Sequence, residues 1–308
     1  MQEAVPVTLL YVLESNGSSP GRQGFFMAVN ANGEMAGSIG GGIMEHKFVE
    51  MAREKLRAGS QESGVKKQVH DKSAAASQSG MICSGEQTIW LYPVQQKDVA
   101  TIQNILSSLD NHKNGTLVLS PEGIRFDSTI PGRNYEYTFQ SENNWLYKEK
   151  TGHKNQLFII GGGHCALAFS KLMRDMDFYI TLFEERKELN TVLQNEFAHE
   201  IIIVDDYTAL SNLIPSGPNQ YVVIMTFGYR TDDIALRSLR DKKFMYLGML
   251  GSKNKMEKLF ADYRVDGIDE ELLQRIHTPI GLNISSQTPE EIAVSIAAEI
   301  IQTKNQQP

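Results

Sequence analysis

Residues 157–169 read LFIIGGGHCALAF, four apolar residues followed by three glycines and a segment with helical spacing. This pattern predicts a buried strand, a tight turn and the first turn of a helix. Gly161, Gly163 and Ala166 fit the G-x-G-x-x-A form, in which glycine lets an anion approach the backbone and the new helix supplies free N–H groups. We therefore predict that Gly161, Gly163 and His164 hold a phosphate-bearing small molecule.

Short apolar runs alternate with helical patterns through the rest of the second half of the chain. The predicted strands lie near residues 156–160, 178–183, 200–204, 220–226 and 244–248. This alternation is typical of right-handed βαβ units, and it predicts an α/β fold with a Rossmann-like, doubly wound parallel sheet. Glu184 ends the second strand about 20 residues after the glycine turn, where an acidic side chain would bind a ribose.

A second junction between a glycine and a helix stands at Gly251-Ser252-Lys253. Ser252 and Lys253 would suit a phosphate, because a hydroxyl, a cation and helix N–H groups come together there. The alternative is that Ser252 is an ordinary N-cap residue. The sequence leaves both interpretations open.

The first half of the chain predicts an α+β domain. A hairpin is predicted over residues 25–38, and it leads into Gly40-Gly41-Gly42 and a helix that ends near residue 56. Three consecutive glycines lose much chain entropy on folding. Either a ligand lies against the helix N-terminus, or the backbone packs tightly there.

Cys83 lies on a predicted turn, after a predicted loop at residues 72–80 and before a strand at residues 87–92. A loop cysteine can act as a thiolate nucleophile or as a soft metal ligand, whereas a buried cysteine is an inert small apolar side chain. The polar segment 148–155 is the predicted linker. It divides the chain into domains 1–150 and 151–308.

Composition narrows the class of protein. The chain has 308 residues, of which 41% are hydrophobic and 22% charged, and its formal net charge is −7. No apolar run approaches the roughly 18 residues of a membrane span, and the first residues lack the basic start of a signal peptide. We therefore expect a cytoplasmic protein with no membrane association. The absence of basic blocks argues against nucleic-acid binding, and Cys83 and Cys165 are expected to stay reduced.

Motifs spread along nearly the whole chain resemble those of the xanthine dehydrogenase accessory protein family, XdhC/CoxI. They are Gly17-Ser18-Ser19-Pro20 with Gly24, Gly37-Ser38-Ile39-Gly40-Gly41-Gly42 with Glu45, Cys83-x-Gly85, Gly161-x-Gly163-His164, Tyr246-x-Gly248-x-x-Gly251-Ser252-Lys253, Pro279-Ile280-Gly281-Leu282 and Thr288-Pro289-Glu290-Glu291-Ile292-Ala293. The resemblance implies a chaperone that binds molybdenum cofactor (molybdopterin), lets a cysteine desulfurase replace an oxo ligand by sulfide, and delivers the product to a molybdenum hydroxylase of the xanthine dehydrogenase type.

The resemblance also implies roles for particular residues. Cys83 is expected at the metal or its sulfur, and the glycine loops are expected at the phosphate. The remaining candidate cofactor-binding residues, expected near a ligand held between the domains, are Arg22, Gln23, Gly41, Gly42 and Glu45. The sequence departs from the family at Phe227, where many members have histidine. We expect a homodimer and assign no catalytic residue.

The sequence is also compatible with two functions other than a cofactor chaperone. The glycine turn and Glu184 are compatible with an NAD(P)-dependent oxidoreductase, although no catalytic acid or base stands out. The same glycine pattern occurs in many proteins without redox activity, so it predicts a ligand rather than hydride transfer. The third interpretation is a structural protein of an enzyme assembly that keeps the fold without binding a small molecule.

Overall fold

The structure, a computed structural model, describes residues 5–70, 85–268 and 270–306. Contacts between residues divide the chain into two compact units, the first ending at Gly152 and the second beginning at His153. None of the described helices is both long enough and apolar enough to cross a membrane.

The N-terminal unit contains a five-stranded antiparallel sheet with strand order β3-β2-β1-β5-β4. Its strands are β1 (Val7–Gly17), β2 (Phe26–Asn30), β3 (Met35–Gly37), β4 (Gly64–His70) and β5 (Gly85–Pro93), and its helices are α1 (Gly42–Arg57) and α2 (Val99–Asp110). Successive side chains of a strand point to opposite faces of the sheet. Leu10 and Val12 therefore pack with Phe48 of α1, while Tyr11 and Leu13 pack on the other face.

A second antiparallel sheet covers that other face. Its strands are β6 (Gly115–Ser120), β7 (Gly123–Asp127), β8 (Tyr135–Ser141) and β9 (Asn144–Thr151), in the order β7-β6-β9-β8. Trp145 and Tyr147 of β9 are buried against Tyr11 and Trp90 of the first sheet. The N-terminal unit is thus α+β, with two sheets and the helices α1 and α2 among its described residues.

The linker predicted at residues 148–155 is wrong over most of its length. Strand β9 continues to Thr151 and pairs with β6. The charged sequence enters a sheet because Glu149 has internal partners: its carboxylate accepts hydrogen bonds from the hydroxyls of Tyr11 at 2.5 Å and Tyr147 at 2.8 Å. Only residues 152–154 separate β9 from the next strand.

The C-terminal unit is a six-stranded parallel sheet with helices between its strands. The strands are β10 (Asn155–Ile160), β11 (Phe178–Glu184), β12 (Glu200–Ile203), β13 (Gly217–Ile224), β14 (Phe244–Met249) and β15 (Ile276–His277). The helices are α3 (His164–Arg174), α4 (Asn190–Leu193), α5 (Leu210–Leu213), α6 (Tyr229–Leu239), α7 (Lys253–Val265), α8 (Glu270–Gln274) and α9 (Pro289–Gln306). The strand order β12-β11-β10-β13-β14-β15 confirms the predicted Rossmann-like sheet.

Both faces of this sheet are buried. Leu157 and Ile159 of β10 belong to a core with α3 and α9, whereas Phe158 and Ile160 belong to a core with α6 and α7. A strand buried on both sides needs a continuous apolar run, which explains the sequence LFII. The strand order reverses between β10 and β13, because β11 and β12 lie on one side of β10 and β13 to β15 on the other. Ligands of such sheets lie beyond the carboxyl ends of the strands at that point.

The glycines before α1 differ in what their backbone requires. Gly40 has φ 125°, and a Cβ there would lie 2.3 Å from the Gly21 nitrogen. Gly41 has φ 74°, but a Cβ there would meet nothing within 4 Å. Close backbone packing therefore fixes Gly40, and backbone conformation alone fixes Gly41.

We predict that Gly40→Ala lowers the free energy of unfolding more than Gly41→Ala does. Both substitutions place a side chain at positive φ, which costs about 1–2 kcal/mol, but only Gly40→Ala adds a collision with backbone, which costs about 1–3 kcal/mol more. Urea denaturation of the two variants beside the wild type measures the difference. Equal losses would show that the approach of Gly21 does not constrain this turn.

Candidate functional site

A cavity of about 490 Å³ lies in the C-terminal unit, where the carboxyl ends of β10, β11, β13 and β14 meet. The turn after β10, the segment after β11 and the turn after β13 form its wall. The lining residues are Gly163, His164, Cys165, Ala166, Arg186, Leu189, Asn190, Thr191, Met225, Thr226, Phe227 and Leu250. This is where the strand order predicts a ligand.

The three glycines after β10 have different structural roles. A Cβ at Gly161, which has φ 103°, would lie 2.5 Å from the Met225 carbonyl oxygen. A Cβ at Gly162 would lie 2.3 Å from the Val192 side chain. A Cβ at Gly163 would meet nothing within 4 Å. The first two glycines are therefore required by packing, and the third leaves open space at the cavity wall.

Helix α3 begins at this open space. Gly163 is its N-cap residue, so the N-terminus lacks a capping side chain, and the first intrahelical bond runs from the Leu167 N–H to the Gly163 carbonyl at 3.1 Å. His164 is exposed in the first turn. Free N–H groups and the positive end of the helix dipole make such an N-terminus a binding position for an anion.

Glu184 lies beneath the glycine turn rather than on the cavity surface. Its side chain has 0% exposure. The carboxylate accepts hydrogen bonds from the Gly162 N–H at 2.7 Å, from Arg186 Nε and Nη2 at 2.9 Å each, and from the N–H groups of Glu185 and Arg186 at 3.0 and 3.1 Å. Burial by itself would raise the pKa of Glu184, but the bonds from Arg186 and Gly162 outweigh it and lower that pKa.

Arg186 lies at the carboxyl end of β11, where the strand order places the ligand crevice, but the sequence assigned no role to its side chain. Its guanidinium pairs with both oxygens of Glu184 and lies 4.5 Å from the centre of the Phe227 ring. Both Arg186 and Phe227 line the cavity. The sequence offered one signal, because Phe227 replaces the family's histidine at a strand end, but nothing in the spacing places Phe227 beside Arg186.

A buried ion pair supports the turn after β13. Asp232, with 0% exposure, accepts hydrogen bonds from the Thr226 hydroxyl at 2.5 Å and from the Thr226 N–H at 3.2 Å, and it pairs with the Lys255 ammonium. Burial raises the pKa of Asp232, although Lys255 opposes this shift. The pair ties the cavity residue Thr226 to the beginning of α7. It too was absent from the sequence prediction.

Ser252 and Lys253 do not line this cavity. Ser252 is the N-cap of α7, and its hydroxyl accepts a hydrogen bond from the Lys255 N–H at 3.4 Å. The Lys253 side chain is 80% exposed and lies 3.9 Å from Glu257. Ser252 therefore acts as an N-cap residue, which is the second of the two interpretations of this junction.

The glycine turn before α1 is closed by a carboxylate from its own helix. Glu45 accepts hydrogen bonds from the Ser38 hydroxyl at 2.7 Å and from the N–H groups of Ile39 at 2.9 Å and Gly41 at 3.0 Å. Burial would raise the pKa of Glu45, but these bonds lower it. Gly42, with φ 71°, begins the helix. A protein carboxylate thus bonds the N–H of Gly41, and the role of Gly41 and Gly42 in ligand binding stays a prediction.

Arg22 and Gln23 also have partners in the N-terminal unit. Arg22 is exposed, and its Nη1 donates to the Gly17 carbonyl at 3.2 Å. Gln23 donates from Nε2 to the Leu13 carbonyl at 2.9 Å. Both side chains stabilise the turn between β1 and β2, and their role in ligand binding stays a prediction.

Of the two cysteines, only Cys165 belongs to the described residues. Cys83, the predicted metal ligand, lies outside the described residues. Cys165 is a free, half-buried thiol in the cavity wall. Burial raises the pKa of Cys165, and the charge of Glu290 adds to that shift.

Sequence comparison matches both halves of the chain to one family. The model of the XdhC Rossmann domain matches residues 157–300, and that of the XdhC and CoxI family matches residues 1–67. The chain belongs to the XdhC family. The family resemblance inferred from the motifs is therefore confirmed.

Individual relatives of this XdhC-family chain are distant. The uncharacterized protein YqeB of Escherichia coli K12 is 26% identical over 310 residues, covering 100% of this chain and 45% of YqeB. A probable xanthine dehydrogenase subunit from Bacillus subtilis 168 is 27% identical over 159 residues, covering 52% of this chain and 46% of that relative. The chain thus spans about half the length of these curated relatives.

A solved structure shares the fold. The crystal structure of a xanthine dehydrogenase from Bacillus halodurans superposes with a TM-score of 0.71 at 23% identity, covering 100% of this chain and 94% of that one. At this identity the likeness concerns the fold alone.

We predict that Glu184→Gln lowers the free energy of unfolding by about 2 kcal/mol at pH 7, because it weakens hydrogen bonds to a charged group. The folded pKa of Glu184 lies below the unfolded value of about 4.3, so the ionised carboxylate stabilises the fold above that pH. This contribution is lost as the pH falls through the folded pKa. Urea denaturation between pH 3 and 7 should therefore show that the free energies of unfolding of the wild type and the variant converge as the pH falls. A constant difference would contradict the role of the charge.

Proposed function

We propose that this chain is an accessory protein that binds molybdenum cofactor, supports its sulfuration and delivers it to xanthine dehydrogenase or a related molybdenum hydroxylase. The observation that carries the proposal is the match of residues 1–67 and 157–300 to the XdhC family. A cysteine desulfurase and a second copy of the chain are its proposed further partners. The chain would act by binding and transfer, without a turnover of its own.

The cavity of the C-terminal unit fits a phosphate-bearing cofactor. Molybdopterin ends in a phosphate, and α3 presents an N-terminus without a capping side chain beside the open space at Gly163. The cavity volume of about 490 Å³ falls within the roughly 300–1,000 Å³ of small-molecule sites. Gly163 and the first turn of α3 would therefore hold the phosphate.

Sulfur ligands of the chain suit the metal end of the cofactor. The bound cofactor would supply a molybdenum centre at which an oxo ligand is exchanged for sulfide. A thiolate is a soft ligand, and Cys83 is the proposed residue for the metal or the sulfur. Cys165 lines the described cavity, but burial raises the pKa of its thiol and so disfavours the thiolate that binds a metal. This favours Cys83 over Cys165 for that role.

An NAD(P)-dependent oxidoreductase is the alternative, and the Rossmann strand order favours it. The geometry at the expected ribose position disfavours the free ribose diol of NAD(H). The carboxylate of Glu184 has no exposed surface, and Phe227 stands where the sequence would need a proton-transfer residue. His164 is exposed at the phosphate turn, so its place suits binding rather than hydride transfer.

The deciding experiment is the incubation of the purified chain with molybdenum cofactor, followed by size-exclusion chromatography and metal analysis. NAD(H) and NADP(H) are titrated in parallel by calorimetry. Molybdenum that comigrates with the chain supports the accessory function. Tight binding of nicotinamide nucleotides without retention of molybdenum would replace it by the oxidoreductase.

We predict that Gly163→Leu lowers the retention of molybdenum cofactor about tenfold or more while the unfolding midpoint stays unchanged. The leucine would occupy the open space at the N-terminus of α3, and the extended backbone of Gly163 accepts any residue. Gly228→Leu is the matched control, since Gly228 is also an extended helix N-cap but is not part of the cavity wall. Equal retention in both variants would place the phosphate elsewhere.

We predict that Cys83→Ala abolishes maturation of the partner hydroxylase although the variant stays folded. Cys165→Ala serves as the comparison, because it removes the other thiol of the chain. Hydroxylase activity after co-expression, with circular dichroism of each variant, measures both effects. Full hydroxylase activity with Cys83→Ala would exclude the thiol role.

A further inference from the structure

Arg186 is held in one orientation at the cavity wall. Its Nε and Nη2 donate to the two oxygens of Glu184 at 2.9 Å each, and its guanidinium lies on Phe227 at 4.5 Å from the ring centre. A guanidinium fixed by a bidentate carboxylate and an aromatic ring loses little further side-chain entropy when it binds a ligand. Arg186 is thus preorganised.

The ion pair presents its positive end to the cavity. The Glu184 side chain has 0% exposure, whereas that of Arg186 has 41%. Glu184 engages Nε and Nη2, so the two N–H groups of Nη1 are not used by this pair. These N–H groups of the planar guanidinium can donate hydrogen bonds to the oxygens of a phosphate.

The same geometry disfavours a free ribose diol at this position. In dinucleotide-binding sheets, an acidic residue at the end of the second strand accepts hydrogen bonds from the ribose hydroxyls, while a nearby arginine accommodates a phosphate on the ribose. Here the acid is enclosed by five protein donors. The exposed group is the arginine.

We propose that Arg186 binds a second phosphate of the ligand, in addition to the phosphate at the N-terminus of α3, and that Glu184 is a positioning residue that does not touch the ligand. The cavity therefore takes a ligand with two separate phosphate groups. The inference rests on the proposed function only in using the same cavity, and a pterin cofactor satisfies it only in a form that carries a second phosphate.

Two probes isolate the second phosphate. Adenosine 2′,5′-bisphosphate and adenosine 5′-monophosphate differ only by the 2′-phosphate. Calorimetry with the wild-type chain should show binding of the bisphosphate about tenfold or more tighter, as expected for a charge-assisted hydrogen bond. The comparison requires neither molybdenum nor redox chemistry.

Variants assign the preference to Arg186. The double variant Glu184→Gln/Arg186→Gln removes the pair without leaving an unpaired buried charge. It should bind the bisphosphate and the monophosphate with about equal affinity. Arg186→Lys keeps the charge but loses the fork, so it should retain only part of the preference. The matched control is Arg237→Gln, because Arg237 also pairs with a carboxylate, Asp233, and stacks on Tyr263 at 4.8 Å, but does not line the cavity.

Several results would overturn the inference. They are equal affinities of the wild type for the two probes, no binding of either probe at millimolar concentration, or a preference that survives in both Arg186 variants. If the double variant fails to fold, Arg186→Lys decides. Molybdenum retention is measured separately, so a chain that prefers the bisphosphate but releases the cofactor would refute the proposed function and leave this inference standing.

Discussion

The ligand-binding end of the C-terminal unit depends on the hydrogen bonds that the buried carboxylate of Glu184 accepts. This carboxylate joins the end of β11 to the turn after β10 through the Gly162 N–H, and it holds Arg186 at the cavity wall. The carbonyl of the same glycine accepts a hydrogen bond from the Thr191 hydroxyl. With both backbone groups of Gly162 fixed, Gly163 and the start of α3 have one position relative to the cavity.

The opposite side of the cavity has a support of the same kind. Asp232 holds Thr226 and pairs with Lys255, so the turn after β13 is attached to the beginning of α7. Ion pairs with a buried carboxylate add little net stability, because desolvation offsets much of the attraction. Their effect here is geometric: each fixes a loop at a strand end, where backbone hydrogen bonds of the sheet no longer do so.

Carboxylates of the chain bond the glycine turns before both α1 and α3. Glu45 closes the turn before α1, and Glu184 lies beneath the turn after β10. The two cases differ in what remains accessible. At α1 the carboxylate takes the N–H of Gly41 itself, whereas at α3 it takes the N–H of Gly162 and leaves Gly163 beside open space. The two turns look alike in sequence, but the carboxylate bonds the N-cap glycine itself at α1 and the residue before the N-cap glycine at α3.

The sequence by itself determined the parallel sheet of the C-terminal unit and the positions of β10 to β14, because apolar periodicity and turn residues act locally. It also located the turn at Gly163 and the family to which the chain belongs. Only the tertiary structure decided which polar groups meet: Glu184 turns inward to Gly162 and Arg186, and Phe227 approaches Arg186 from another strand end. The strand at residues 148–151 was missed for the same reason, since the partners of Glu149 include Tyr11, far away in the chain. Contacts between residues that are distant in the sequence follow from tertiary packing, and local sequence patterns do not predict them.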